Sequence, residues 1–175
     1  MYGDNGDGIH TNQVITIHFP DPDVILVGEM RDRETIKLAL TAAEMGILVF
    51  GTLHTNSAVK TVDRILDAFQ VDEQKHTRAM LAQSLAGVVS QLLVARADRP
   101  GRIPVTEVLI RTSGVPNAIR EGSLNMLVSI IQGGKKLGMR SMDDGLMDLF
   151  EKGIISPEEA HIKAFDKTRF EHYLA

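Results

Sequence analysis

Two short apolar runs, Val24–Val27 and Leu48–Phe50, constrain this chain more than any other feature. Unbroken β-branched and aliphatic runs of this length suit strands covered on both faces, at the centre of a parallel sheet. The stretch between them, from about Arg33 to Met45, places Ile36, Ala39, Leu40 and Ala43 on one helical face, with Gly46 as a C′ residue. Strand, helix and strand make a right-handed βαβ unit. The expected strands are Val24–Glu29 and Leu48–Thr52. Each run gives way to small residues and then a polar group, Glu29 after the first and His54 after the second. Ligands of open parallel sheets sit beyond the carboxyl ends of the strands. Glu29 and His54 are therefore expected at one edge and are the candidate site residues.

The flanking sequence fills in an α/β chain. Residues 1–12 are rich in Gly, Asn and Asp and read as turn or tail. Asn5, Asp7 and Gly8 have a calcium-loop flavour, but Gly3 and Val14 stand where the terminal carboxylates belong, so tight calcium binding is not expected. Val14–Phe19 alternates and reads as a strand ahead of Pro20 and Pro22. Thr55-Asn56-Ser57 offers N-cap oxygens to a helix bearing Val59, Val62, Ile65, Leu66 and Phe69. Asp72 is expected to cap the next helix, whose stripe is Leu81, Leu85, Val88 and Leu92, passing into a strand at Leu92–Ala95. Arg96–Arg102 reads as a hairpin turn, and Pro104–Ile110 as an antiparallel strand added at the edge of the parallel sheet.

Beyond Arg111 short helices are expected: Gly114–Glu121 behind Ser113, one starting near Ser123 and ending at Gly133-Gly134, then Met142–Lys152 and Pro157–Phe165. The last two open on capping boxes, Ser141-Met142-Asp143-Asp144 and Ser156-Pro157-Glu158-Glu159.

Composition excludes several function classes. The 175 residues carry a net charge of −4 and few aromatics (5%), which disfavours nucleic-acid binding. There is no cysteine, hence no disulfide frame and no thiolate metal site. The apolar runs fall well short of the roughly 20 residues that span a bilayer, and no signal peptide opens the chain.

A carboxylate just past a buried apolar strand is the Walker B arrangement of nucleotide hydrolases, where it holds a Mg²⁺-bound water or polarises the attacking one. Many buried strands also end in Glu without such a role. A lone histidine after a strand is more often structural, and acquires a phosphate-binding sense only beside Glu29.

Three separated motifs occur in order: Asp-Pro-Asp-Val-Ile-Leu-Val-Gly-Glu-Met-Arg-Asp (from Asp21), Leu-Ala-Leu-Thr-Ala-Ala-Glu (Leu38–Glu44) and Gly-Thr-Leu-His-Thr (Gly51–Thr55). Together with Ala118-Ile119-Arg120-Glu121 and Leu137-Gly138-Met139, they resemble the type IV pilus retraction ATPases, PilT-like motors of the secretion ATPase superfamily. The resemblance runs from about Asp21 to Phe165. It implies a partial RecA-like P-loop ATPase core, a mostly parallel sheet with helices, over residues 21–111. A helical C-terminal region follows over 112–175, and 1–20 are a tail outside the family.

The family's activity would be ATP hydrolysis driving pilus retraction and twitching motility. It would be carried out by a cytoplasmic hexamer, peripheral at the bacterial inner membrane, against a pilus platform protein. By this resemblance Glu29 is the catalytic Walker B glutamate, touching Mg²⁺ through water, and His54 senses the terminal phosphate of ATP. Ala118, Ile119, Arg120 and Glu121 form the motif linked to retraction.

The departures are specific. The phosphate loop, Gly-x4-Gly-Lys-Ser/Thr, is absent; the only Gly-Lys is Gly134-Lys135, followed by Lys136. The family's acidic box and N-terminal domain are missing as well. Ile47 stands where the family's His box has its first histidine. The expectation is therefore the C-terminal portion of a motor, with weak or no ATP and Mg²⁺ binding on its own. The alternatives are a fragment of an assembly or type II secretion ATPase, and a non-catalytic module that binds a full-length motor.

Overall fold

The computed structural model describes residues 22–174. The expected Val14–Phe19 strand and the Asn5–Gly8 loop lie outside this range. Strand β1 (Val24–Val27), helix α1 (Arg33–Glu44) and strand β2 (Leu48–Gly51) form the βαβ unit, with β1 and β2 parallel and Val24 opposite Leu48. Asp32 starts α1 by accepting the Thr35 N–H at 2.8 Å. Gly46 stops it at φ 92°, a conformation that a side chain would strain.

Two helices then carry the chain over to a second sheet. Ser57 caps α2 (Ala58–Asp67), and α3 (Val71–Ser84) follows. Gln70, not Asp72, is the N-cap of α3, closing a capping box with Glu73. Strands β3 (Gly87–Ala95) and β4 (Arg102–Ile110) form an antiparallel hairpin, with Gly101 at φ 118° in the turn. Val88 and Leu92, expected on the helix, are strand residues. The helix breaks at Leu85, whose ψ of 114° is extended. From Gly87 onward, even-numbered side chains turn inward and odd ones outward, the period of a strand.

Helices α4 (Gly114–Glu121) and α5 (Asn125–Gly133) follow, then a 3-10 turn (Lys135–Leu137), α6 (Met142–Glu151), α7 (Pro157–Lys163) and α8 (Thr168–Glu171). Ser141 and Ser156 cap α6 and α7 as their boxes require, accepting the Asp144 and Glu159 N–H groups at 3.1 and 3.2 Å. Ser113 precedes α4 but makes no side-chain cap.

Two apolar clusters hold these elements. One gathers Ile36, Leu40, Val62, Leu81, Ile119 and Leu127 from α1 to α5, together with Leu109 of β4. The other packs Val94 and Val105 of the hairpin against Leu146, Ile155 and Phe170. The hairpin thus serves both clusters, one at each end.

The sheets depart from expectation in two respects. Among the described residues β1–β2 and β3–β4 are separate two-stranded sheets, so the hairpin is not paired to the parallel strands. Nor are β1 and β2 covered on both faces. Ile25, Val27 and Val49 on one face are partly buried, while Leu26 and Phe50 on the other are 75% and 55% exposed. An unbroken apolar run reports two faces that avoid water; it does not report that the covering elements lie in the same stretch of chain.

Candidate functional site

The site forms where β1 and β2 run out together. Past the last ladder pair, the Thr52 N–H donates to Val27 O at 3.4 Å and the Met30 N–H to Thr52 O at 2.9 Å. The Thr52 hydroxyl adds a bond to Gly28 O. These links keep the two loops side by side beyond the strands. Glu29 and His54 consequently meet: His54 Nε2 lies 2.7 Å from Glu29 Oε1. The sequence placed both at one edge, and the geometry brings them into contact.

Arg31 Nε reaches the same carboxylate oxygen. Its hydrogen bond holds the Glu29 carboxyl below the ordinary glutamate range. Partial desolvation works against that shift, while the Arg31 charge and the His54 contact add to it. The Glu29 side chain is 27% exposed and the His54 ring 84%, so the pair opens to solvent. Neighbouring Asp32 is committed elsewhere: both its oxygens bind Thr35, and the Thr35 backbone N–H is the main reason its own carboxyl is held low. Glu29 is therefore the carboxylate of this loop that takes no part in capping α1.

The His54 loop is anchored behind. Thr55 and Thr61 share a hydroxyl hydrogen bond of 2.7 Å, and Ser57 caps α2. Glu107, 6% exposed on β4, accepts the Ala58 N–H at 2.8 Å with one oxygen and the Met142 N–H at 3.2 Å with the other. One buried carboxylate thus caps the first turns of α2 and α6, where helix dipoles favour negative charge. Sequence reading missed Glu107 and Arg31. The signal for Glu107 is parity, since it shares the inward face of β4 with Val105 and Leu109. For Arg31 it is a base two residues from a strand-end acid.

Met30 and His54 border a cleft of about 1400 Å³ between β2 and β3. Ile47, in the place of the family histidine, lines it and donates its N–H to Ala42 O at 3.2 Å. Of the four-residue motif on α4, Ala118 and Ile119 are fully buried. Arg120 and Glu121 are exposed, and Arg120 donates to Asn117 Oδ1 at 2.7 Å.

The groups fit a Mg²⁺–ATP site only at one end. A single carboxylate suits Mg²⁺, which keeps most of its waters and takes one or two carboxylates alongside phosphates. No group of three or more potential ligands converges among the described residues. The amides and lysine of a phosphate cradle are not provided either. Lys135, of the only Gly-Lys pair, binds Asp144 at 3.0 Å instead. Among the described residues the Glu29–His54 pair therefore stands without a phosphate cradle beside it.

No helix of the described residues is long and apolar enough to cross a membrane. Residues 11–118 match the family described as type II/IV secretion system protein, a match that begins ahead of Asp21. The chain is 53% identical over 144 residues to a twitching motility protein of Neisseria gonorrhoeae, covering 82% of this chain and 38% of that one. It is 52% identical over the same length to the type IV pilus retraction ATPase PilT of Pseudomonas aeruginosa, covering 82% and 42%. A crystal structure of the pilus retraction motor PilT with bound ADP superposes with a TM-score of 0.76 at 40% identity, over 87% of this chain and 43% of that one. This chain therefore spans less than half the length of each of these relatives. With its parallel α/β fold and strand-end acid, it belongs to the type II/IV secretion system protein family.

Proposed function

We propose that this chain supplies the hydrolytic edge of an ATP-driven motor for type IV pilus retraction, and that alone it neither holds nor turns over ATP. The observation that carries this is the 2.7 Å contact between Glu29 and His54 at the ends of two parallel strands. In this reading Glu29 is the catalytic carboxylate, which positions the attacking water and meets Mg²⁺ through water. His54, hydrogen-bonded to it and open to solvent, senses the terminal phosphate. Residues 21–111 form the ATPase part, and 112–175 a helical region whose Ala118–Glu121 segment passes the nucleotide state toward retraction. The working assembly is a hexamer at the cytoplasmic face of the bacterial inner membrane, acting on the pilus platform protein.

The missing phosphate cradle supports the second half of the proposal. Backbone amides and a lysine supply most of the attraction for a triphosphate. Titration of the chain with ATP and Mg²⁺ is expected to give no saturation in the micromolar range; a Kd near 1 μM, about −8 kcal/mol, contradicts it. Complementation of a non-retracting strain with a restored full-length version distinguishes retraction from assembly or secretion.

The same missing cradle favours one other reading, a non-catalytic module that docks on a full-length motor. Capture of a full-length motor by a chain that never supports hydrolysis in it would mark that case.

A further inference from the structure

Two helices from different parts of the chain start against one side chain. Ala58 and Met142 are the first residues of α2 and α6, and their N–H groups donate to the two oxygens of Glu107 at 2.8 and 3.2 Å. The residues before them, Ser57 and Ser141, are buried serines that already cap their own helices. Neither start therefore depends on Glu107 for a local cap, yet the acid reaches one across 49 residues of sequence and the other across 35. Helix N-termini carry partial positive charge, so two of them brought together repel unless an anion lies between. Glu107 is that anion. A shift of either start along β4 breaks its bond to the carboxylate or draws the other start with it.

What lies behind each start differs. His54 is four residues upstream of Ala58. Its loop is tied to the first turn of α2 through Thr61, whose hydroxyl meets the Thr55 hydroxyl at 2.7 Å and donates to Ser57 O at 2.8 Å. On the other side, Arg140 exchanges two backbone bonds with Val108, the strand neighbour of Glu107, just before α6 begins. From there α6 carries Met142, Leu146 and Leu149 into the second apolar cluster, beside Ala160 and Phe170 of α7 and α8. Glu107 thus stands where the Glu29–His54 edge meets the helical region. Asp32, by contrast, caps α1 from the adjoining residue and touches nothing else.

We infer that Glu107 is a positioning residue that couples His54 to α6. The place of His54 against Glu29 and the place of α6 against β4 are set together by one carboxylate. A displacement of the His54 loop is felt at the start of α6, and a displacement of α6 is felt at His54, to the same extent. This deepens the function proposed above and rests on its reading of His54 as the phosphate-facing group. It adds a second connection from the site to the helical region, apart from the Ala118–Glu121 segment. Its test needs neither nucleotide nor turnover. The coupling can therefore fail while the catalytic role of Glu29 stands, and the reverse.

The test is hydrogen exchange and NMR on this chain, isotope-labelled. Three amides report: Ala58 and Met142 at the two helix starts, and Met30, whose N–H ties the Glu29 loop to Thr52. The through-space contact between the His54 ring and the Glu29 side chain is the fourth readout. Ser141→Ala, which removes the local cap of α6, is expected to speed exchange at Ala58 and Met30 about ten-fold and to weaken the His54–Glu29 contact. Ser57→Ala is expected to speed exchange at Met142 by a similar factor. The ladder amides of Val94 and Val105 keep their rates, which separates coupling from a general loss of stability. In Glu107→Gln, which has a single acceptor oxygen, adding either serine change leaves the opposite start as it was. Effects that stay at the altered start overturn the inference, and so do effects that cross equally well in Glu107→Gln. If Glu107→Gln does not fold, the serine variants decide alone: crossing supports the coupling and its absence ends it.

Discussion

His54 Nε2 and Glu29 Oε1 lie 2.7 Å apart although the residues belong to different strand ends. The cause is the parallel register of β1 and β2, extended past the ladder by Thr52. Arg31 shares the acid, and its hydrogen bond is the larger influence on the Glu29 carboxyl. Glu29 is thus expected to titrate below the usual glutamate range in a carbonyl-detected NMR titration. Arg31→Ala raises that midpoint more than His54→Ala does. A depressed folded-state value means that the contact stabilises the chain above the unfolded glutamate pKa. That stabilisation disappears as pH falls through the lower folded value. A larger rise with His54→Ala would show that the imidazole, not the guanidinium, governs the acid.

Glu107 joins two helix starts that are far apart in sequence. Glu107→Ala leaves the Ala58 and Met142 N–H groups without an acceptor in a buried place, at a cost of about 2–4 kcal/mol. Glu107→Gln retains the shape but offers one acceptor oxygen for two donors, and costs about 1–2 kcal/mol. Urea denaturation measures both; an unaffected midpoint for the alanine variant removes the double cap.

Gly145 lies in α6 with no room for a methyl group: a Cβ there would stand 2.5 Å from Val105 Cγ2. Gly145→Ala is expected to destabilise by about 1–3 kcal/mol through overpacking. This outweighs the roughly 1 kcal/mol that alanine gains over glycine in a helix interior. A stabilised variant would mean that α6 and β4 slide apart freely.

The open face of β1 and β2 predicts a solubility effect. Leu26 and Phe50 sit on the same side, on paired strands, with no described element over them. Leu26→Lys with Phe50→Lys should reduce concentration-dependent light scattering with little change in the unfolding midpoint. A large loss of stability would show that these residues are covered in solution.

The βαβ unit was legible because three independent signals agreed: two apolar runs, a helical stripe on Ile36, Ala39 and Leu40, and a glycine at the C′ position. The course of Ser84 to Ala95 was not legible. Leu81, Leu85, Val88 and Leu92 continue a helical spacing, while Val88, Ser90, Leu92 and Val94 fit a strand equally well, and local pattern cannot choose between the two periods. Tertiary contact decides it, since β4 offers a full ladder from Gly87 to Ala95. Glu29 and His54 were readable from their places after apolar runs. Glu107 was not, because an acid in an alternating strand looks solvent-facing until the parity of Val105 and Leu109 is known. The bare sheet face escaped for a related reason: sequence records a need for cover, not where the cover comes from.

The central claim is that Glu29 turns over ATP when a phosphate cradle is present. The direct measurement is a chimera in which residues 22–174 replace the matched portion of the P. aeruginosa relative. It is assayed for ATP binding and hydrolysis with Glu29 and with Glu29→Gln. The expected result is unchanged binding and a rate lowered by about 10²–10⁴-fold in the glutamine variant. Equal hydrolysis by the two chimeras would contradict the account.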